Sequence, residues 1–212
     1  MEQYRSSHSK RLVGLMGGTF DPVHYGHLVV AEEVRATCKL DDMVFIPAGE
    51  PPHKQGGIVT AAHHRLAMLE LAIASNPHFS ISLVDMDRPG PSYTAETLRM
   101  LHQQWGQHTE LYFVIGWDGL QEFHTWHDPA HILEQLTCLV AVHRPGYTAE
   151  QDFLAQSEAR LPTLKQHLLT MPAPQLEISA TDLRQRIAEG RPVKYQIPEA
   201  VEHYIVQHKL YQ

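Results

Sequence analysis

Leu12–Met16 (LVGLM) is a short, nearly continuous apolar run closed by Gly17 and Gly18, the pattern of a strand buried on both faces. Behind Pro22, a helix is predicted from about His24 to Thr37, because Leu28, Ala31, Val34 and Cys38 recur at helical spacing. A second apolar run, Met43–Ile46, breaks at Pro47 and gives way to a loop, Ala48–Gly57, that holds Pro-Pro and Gly-Gly. Thr60 is expected to cap a helix reaching Ser75, with Leu66, Leu69 and Ile73 on one side. Phe79–Val84 alternates as a strand, and Thr94–Gln104 has the pattern of a helix. Leu111–Ile115 is a buried strand ending at Gly116, a helical segment starts at Pro129, and Thr137–Val142 is another buried strand.

The stretch Arg144–Leu176 carries Pro145, Pro162, Pro172 and Pro174, and is expected to be a connecting region with one or two helices. Ile178–Gly190 then has a strong helix signature. Ser179 is placed to cap, Asp182 stands three residues on, Ile178 and Leu183 can staple the start, and Gly190 and Pro192 stop the helix. A last helix is predicted over Pro198–His208. Strands alternating with helices predict an α/β fold, a mostly parallel sheet with helices on both faces. One domain spanning 1–212 is expected, with a C-terminal helical portion from about residue 179.

Composition narrows the function classes. An apolar share of 43% with 19% charged residues suits an ordinary globular core. The formal net charge of −7 repels polyanions, which argues against nucleic acid as a partner. No apolar run approaches the ~18–20 residues of a membrane span, and the basic N-terminal stretch leads into a run that ends at Gly17-Gly18 with no cleavage-like site. A cytoplasmic protein without a membrane partner is expected. Cys38 and Cys138 sit among apolar neighbours and are expected to be core packers rather than a disulfide framework. Sixteen histidines include the close pairs His24/His27, His63/His64 and His124/His127, yet no cysteine or carboxylate completes a metal-ligand spacing around any pair. No dedicated metal site is predicted.

The chemistry starts where the first strand ends. Gly17 and Gly18 let the backbone approach a ligand, and the next helix begins near His24, so free N–H groups and the helix dipole point at one place. His24 and His27 fall on one face of the first turn, with Gly26 leaving room between them. A second anion-binding start is Ile178–Arg184 (ISATDLR), where Ser179 and Thr181 open a helix and Arg184 follows one turn later. By itself this second stretch is more simply a plain helix cap with an exposed arginine, because capping is so common. Three further stretches carry polar or aromatic groups at loop and strand ends: Pro51–Lys54 with His53 and Lys54, Pro91–Thr94 with Tyr93 and Thr94, and Ile115–Asp118 followed by Phe123 and Trp126.

Gly17–His27 (GGTFDPVHYGH) resembles the signature of the nucleotidylyltransferase superfamily, whose core is (H/T)-x-G-H, and ISATDLR resembles its second signature, ISST-x-x-R, with Ala180 departing from it. Taken with the further stretches and Arg144–Tyr147 (RPGY), the order and spacing are similar to the bacterial nicotinate-nucleotide adenylyltransferases from Leu12 to the C-terminal helix. The resemblance implies a Rossmann-like fold and adenylyl transfer from ATP to nicotinate mononucleotide, giving deamido-NAD and pyrophosphate, with Mg²⁺ arriving on ATP. It implies His24, His27 and Arg184 as catalytic groups. Gly17, Gly18, Thr19, Phe20, Gly26, Gly116, Asp118, Ser179 and Thr181 would join them in the ATP site, and His53, Lys54, Tyr93, Thr94 and Trp126 would hold the mononucleotide. Trp117 stands where a small or polar residue is expected, and is predicted to reshape the adenosine side. Nicotinamide mononucleotide, phosphopantetheine or a cytidylyl reaction are the rival substrates within the superfamily. A catalytically silent nucleotide-binding module is the rival outside it, and homo-oligomer formation stays open.

Overall fold

The computed structural model describes residues 10–51, 59–106, 108–143, 160–174 and 176–212, together with Phe153 and Ser157. Six strands form one all-parallel sheet: β1 (Arg11–Gly18), β2 (Asp42–Pro47), β3 (Phe79–Ile81), β4 (Thr109–Gly116), β5 (Cys138–His143) and β6 (Leu168–Pro172). Their order across the sheet is β3-β2-β1-β4-β5-β6. The helices are α1 (Tyr25–Thr37), α2 (Ala62–Ile73), α3 (Thr94–Trp105), α4 (Trp117–Glu122), α5 (Pro129–Gln135), α6 (Leu164–His167), α7 (Ala180–Ala188) and α8 (Glu199–Gln207).

The apolar runs divide by parity, as a pleated strand requires. Val13 and Leu15 of β1, Leu111, Phe113 and Ile115 of β4, and Leu139 and Ala141 of β5 face one core, which Leu98 and Leu101 of α3, Leu120 of α4 and Ile132 and Leu133 of α5 complete. Met16, Phe45, Val114, Val140 and Val142 face the other, against Ala31 and Val34 of α1, Met68 and Leu69 of α2, Leu183 of α7 and Val201 and Ile205 of α8. Burial on both faces explains the near-continuous apolar runs. Gly14 belongs to this packing, since a Cβ there would lie 2.1 Å from Met43 Sδ.

Three local expectations need correction. Thr60 does not cap α2; the cap position is Ala61, and the Thr60 N–H instead donates to Asp21 Oδ2 at 3.2 Å. The third strand stops at Ile81 rather than Val84, because the chain turns over Leu83–Asp87, with Met86 and Asp87 N–H both returning to the Leu83 carbonyl. The connecting region contains a strand, β6, that pairs with β5 from Leu139↔Leu168 to His143↔Pro172. It is a short edge strand ending in proline, which the sheet tolerates only at an edge. At α7, Ser179 Oγ accepts from the Asp182 N–H at 3.1 Å, while Ile178 and Leu183 share one core. Among the described residues, no helix is long and apolar enough to cross a membrane.

Candidate active site

The order in which strands are added to the sheet reverses between β1 and β4, outward through β2 and β3 on one side and through β5 and β6 on the other. This is the switch point at which open α/β sheets bind ligands outside their carboxyl ends. A cavity of about 900 Å³ opens there. Its floor is Met16–Thr19 from β1 and Phe113–Gly116 from β4, and Gly17 lies with its Cβ position 3.4 Å from the Phe113 ring. On one side stand His24, Gly26 and His27 at the start of α1; on the other, Tyr93, Thr94 and Thr97 at the start of α3, with Trp126 and His127 after α4.

His24 holds the cap position of α1, and its ring stacks on His27 with centroids 3.7 Å apart. The His24 backbone N–H donates to His27 Nδ1 at 3.3 Å, so the neutral His27 ring carries its proton on Nε2. Burial pushes both imidazoles down, His24 to about 4 and His27, which also feels its neighbour, to about 3. Both are therefore neutral donors at pH 7. His24 Nδ1 is buried and has no hydrogen-bond partner among the described residues. Among the described residues that line the cavity there is neither lysine nor arginine. An anion here meets amides and neutral imidazoles.

These shifts predict a pH effect on folding. The unfolded chain takes up protons at the ordinary histidine value, 6.5, while the folded pair resists until about 4 and 3. The stability contribution is thus present at pH 7 and lost as pH falls from 6.5 towards the folded values. At pH 5 the loss is up to about 2 kcal/mol for each histidine. Urea unfolding at pH 7 and pH 5 should show a steeper acid loss in the wild type than in a His24→Asn/His27→Asn double variant. Equal pH dependence would contradict the burial of neutral rings.

Phe20 does not line the cleft. It is buried beneath it, with φ of 51°, and meets His27 edge-on at 5.1 Å. Ser179 and Thr181 also stand off the wall: Ser179 caps α7, and Thr181 Oγ1 accepts from Arg184 Nη2 at 3.3 Å. Arg184 Nη1 donates to the Asp21 carbonyl at 2.7 Å, which ties α7 to the loop after β1. Asp118 is exposed in the first turn of α4, outside the cavity wall, whereas Gly116 lines it. Trp117 does not reshape the cleft; its ring is turned into the core against Phe153 and His143. His53, Lys54 and Arg144–Tyr147 lie outside the described residues.

The wall that holds Tyr93, Thr94 and Trp126 is stiffened by ring contacts and by buried polar groups, of which Asp85, Arg88 and Gly49 were not singled out in the sequence. Tyr93 stacks on His127 with centroids 4.4 Å apart, and Trp126 meets Phe113 edge-on at 6.2 Å. Buried Asp85 accepts from Thr97 Oγ1 at 2.6 Å and from Arg88 Nε and Nη2 at 3.2 and 3.1 Å. Burial pushes its carboxyl up, against the pull of Thr97 and Arg88. Gly49 N–H donates to Ser92 Oγ at 3.1 Å, joining the loop after β2 to the start of α3. A Cβ at Gly49 would lie 2.3 Å from the Asp85 carbonyl, so only glycine permits that approach. Asp21, buried at 1% exposure, accepts from Tyr211 Oη at 2.7 Å, and burial and that carboxylate push the phenol up. The sequence signal that marks such groups is a charged residue in an apolar register, as Arg65 is beside Met68 and Leu69 on α2.

Comparisons with known proteins agree with this arrangement. The Cytidylyltransferase-like family profile matches residues 15–186. A protein of Thermomicrobium roseum named "Probable nicotinate-nucleotide adenylyltransferase" is 46% identical over 94% of this chain and 91% of its own length. One of the same name from Roseiflexus sp. is 48% identical over 94% of this chain and 97% of its own. Among solved structures, Plasmodium falciparum nicotinic acid mononucleotide adenylyltransferase complexed with NaAD superimposes with a TM-score of 0.75 at 17% identity, over 95% of this chain and 97% of that one. Identity that low speaks to the fold alone; the closer relatives speak to the family. The chain belongs to the nicotinate-nucleotide adenylyltransferases of the cytidylyltransferase-like family.

Proposed function

We propose that this chain transfers the adenylyl group of ATP to nicotinate mononucleotide, releasing pyrophosphate and forming deamido-NAD. The observation that carries the reading is the stacked His24/His27 pair on a cavity of about 900 Å³ whose opposite wall is the aromatic group Tyr93, Trp126 and His127. One side suits a triphosphate and the other a flat heterocycle, and the volume lies in the range of sites that enclose sizeable ligands. The mononucleotide phosphate attacks the α-phosphorus in line and pyrophosphate departs. His27, through Nε2–H, and His24 stabilise the charge that builds on the phosphoryl oxygens, with no covalent intermediate on the protein. Thr94, Tyr93 and Trp126 place the pyridine ring, and Arg184 steadies the loop after β1 from behind.

Magnesium belongs to this proposal as part of the ATP substrate. Among the described residues no group of three or more His, Cys, Asp and Glu is placed to hold a metal. Of the cavity carboxylates, Asp85 is held by Thr97 and Arg88 and Asp128 accepts from the His131 N–H. That donor set fits an ion carried by the phosphates, where it neutralises their charge.

The test is pyrophosphate release from ATP with nicotinate and nicotinamide mononucleotides in turn. Nicotinate should be preferred at least about tenfold in kcat/KM, a difference of about 1.4 kcal/mol. Preference for the amide would overturn the substrate assignment, and no release with either would overturn the reaction.

A further inference from the structure

Arg65 lies on the apolar side of α2 and is 1% exposed. A cation at such a position is costly unless fully engaged, and its guanidinium is met by four backbone carbonyls. Nε donates to Thr60 at 3.0 Å, Nη1 to Thr19 at 2.9 Å and to Ala48 at 2.7 Å, and Nη2 to Gly49 at 3.3 Å. Thr19 follows β1, while Ala48 and Gly49 follow β2, so one side chain holds the two loops that border the cavity beside His24 and His27. The C=O and N–H of a trans peptide point in opposite directions. Carbonyls gathered on Arg65 therefore turn the N–H groups of Phe20, Gly49 and Glu50 away from it. Gly49 N–H shows the effect directly, since it meets Ser92 Oγ on the cavity wall. Phe20 N–H engages no acceptor among the described residues.

We propose that Arg65 is a positioning residue for adenylyl transfer: from behind the cleft it fixes the peptide planes after β1 and β2, locking the second loop onto Ser92 and leaving the Phe20 amide to meet the phosphates. It touches no substrate. The Phe20 amide is then a pre-set donor, whose value in a phosphoryl-transfer site depends on not having to reorganise during the reaction. Lysine cannot replace it, because a single ammonium lacks the planar fork that reaches both loops. The inference rests on adenylyl transfer at this cleft, and wild-type turnover is measured first so that failure of the reaction is seen on its own.

The experiment compares Arg65→Lys and Arg65→Ala with an active wild type, by circular dichroism, thermal melting and initial rates with ATP and nicotinate mononucleotide. Arg65→Lys should fold and keep KM for the mononucleotide within about threefold. Its kcat should fall roughly 10- to 100-fold, the size of a small displacement of reacting groups. Arg65→Ala should regain activity when millimolar guanidinium is added, with no gain for wild type. A folded Arg65→Lys variant with kcat within about threefold of wild type would overturn the proposal. So would losses that follow only the unfolded fraction, with no response to guanidinium. If Arg65→Ala does not fold, the kcat and KM of Arg65→Lys decide.

Discussion

His27→Ala is expected to lose roughly 10²–10³ in kcat, the usual consequence of removing one pre-set donor to developing charge. The ring is fixed from three sides: His24 stacks on it, Phe20 meets its edge, and the His24 N–H engages Nδ1. That leaves Nε2–H as its one proton, held without cost at the moment of reaction. Because the ring is neutral at pH 7, the loss should be of a hydrogen bond rather than of a net charge, and KM for ATP should rise less than kcat falls. His24→Ala and the double variant complete a cycle, and rings in direct contact should prove non-additive. Steady-state rates at pH 7.5 check this; a His27→Ala enzyme within a few-fold of wild type would remove His27 from the mechanism.

Gly26→Ala should cost about 10² in kcat/KM without loss of fold, the scale on which small misplacements act. A Cβ at Gly26 would lie 2.9 Å from His24 Nδ1 and 3.0 Å from Cε1, while the next nearest group, the Leu176 carbonyl, is 3.8 Å away. His24 is only 7% exposed, so its ring cannot swing freely, and any shift passes to the stacked His27. Alanine is at the same time the better helix former by up to about 1 kcal/mol. Activity and stability should therefore separate: the melting temperature unchanged or higher, the rate much lower. A rate within about threefold of wild type would mean that the imidazole positions do not limit the reaction.

The elements that could be read from the sequence were those with a local cause. β1, β4 and β5 are continuous apolar runs because they are buried on both faces, and α7 announces itself through Ser179 and its staple. β6 was hidden because an edge strand buries less and its residues Leu168–Pro172 sit among prolines. In the site, Gly17, Gly18, Thr19, His24, Gly26 and His27 are contiguous, so their meeting follows from one turn of chain. Arg65 and Asp85 could not be recognised in the same way, since Arg65 is met by the loops after β1 and β2 and Asp85 by Thr97 of α3. Trp117 shows the converse: a residue one position from the cleft in sequence faces the core, because the first turn of α4 rotates its side chain away.

Asp21 also bears on the order in which the molecule is made. Its carbonyl is held by Arg184, 163 residues downstream, and its carboxylate by Tyr211, 190 residues downstream. Contacts of such long separation close late, because chain entropy opposes them until the intervening sheet has formed. A nascent chain still inside the ribosome up to α7 therefore has its glycine turn and both histidines but not the ties that hold the loop around them. The loop after β1 is made before α7 and Tyr211, and becomes competent only after them.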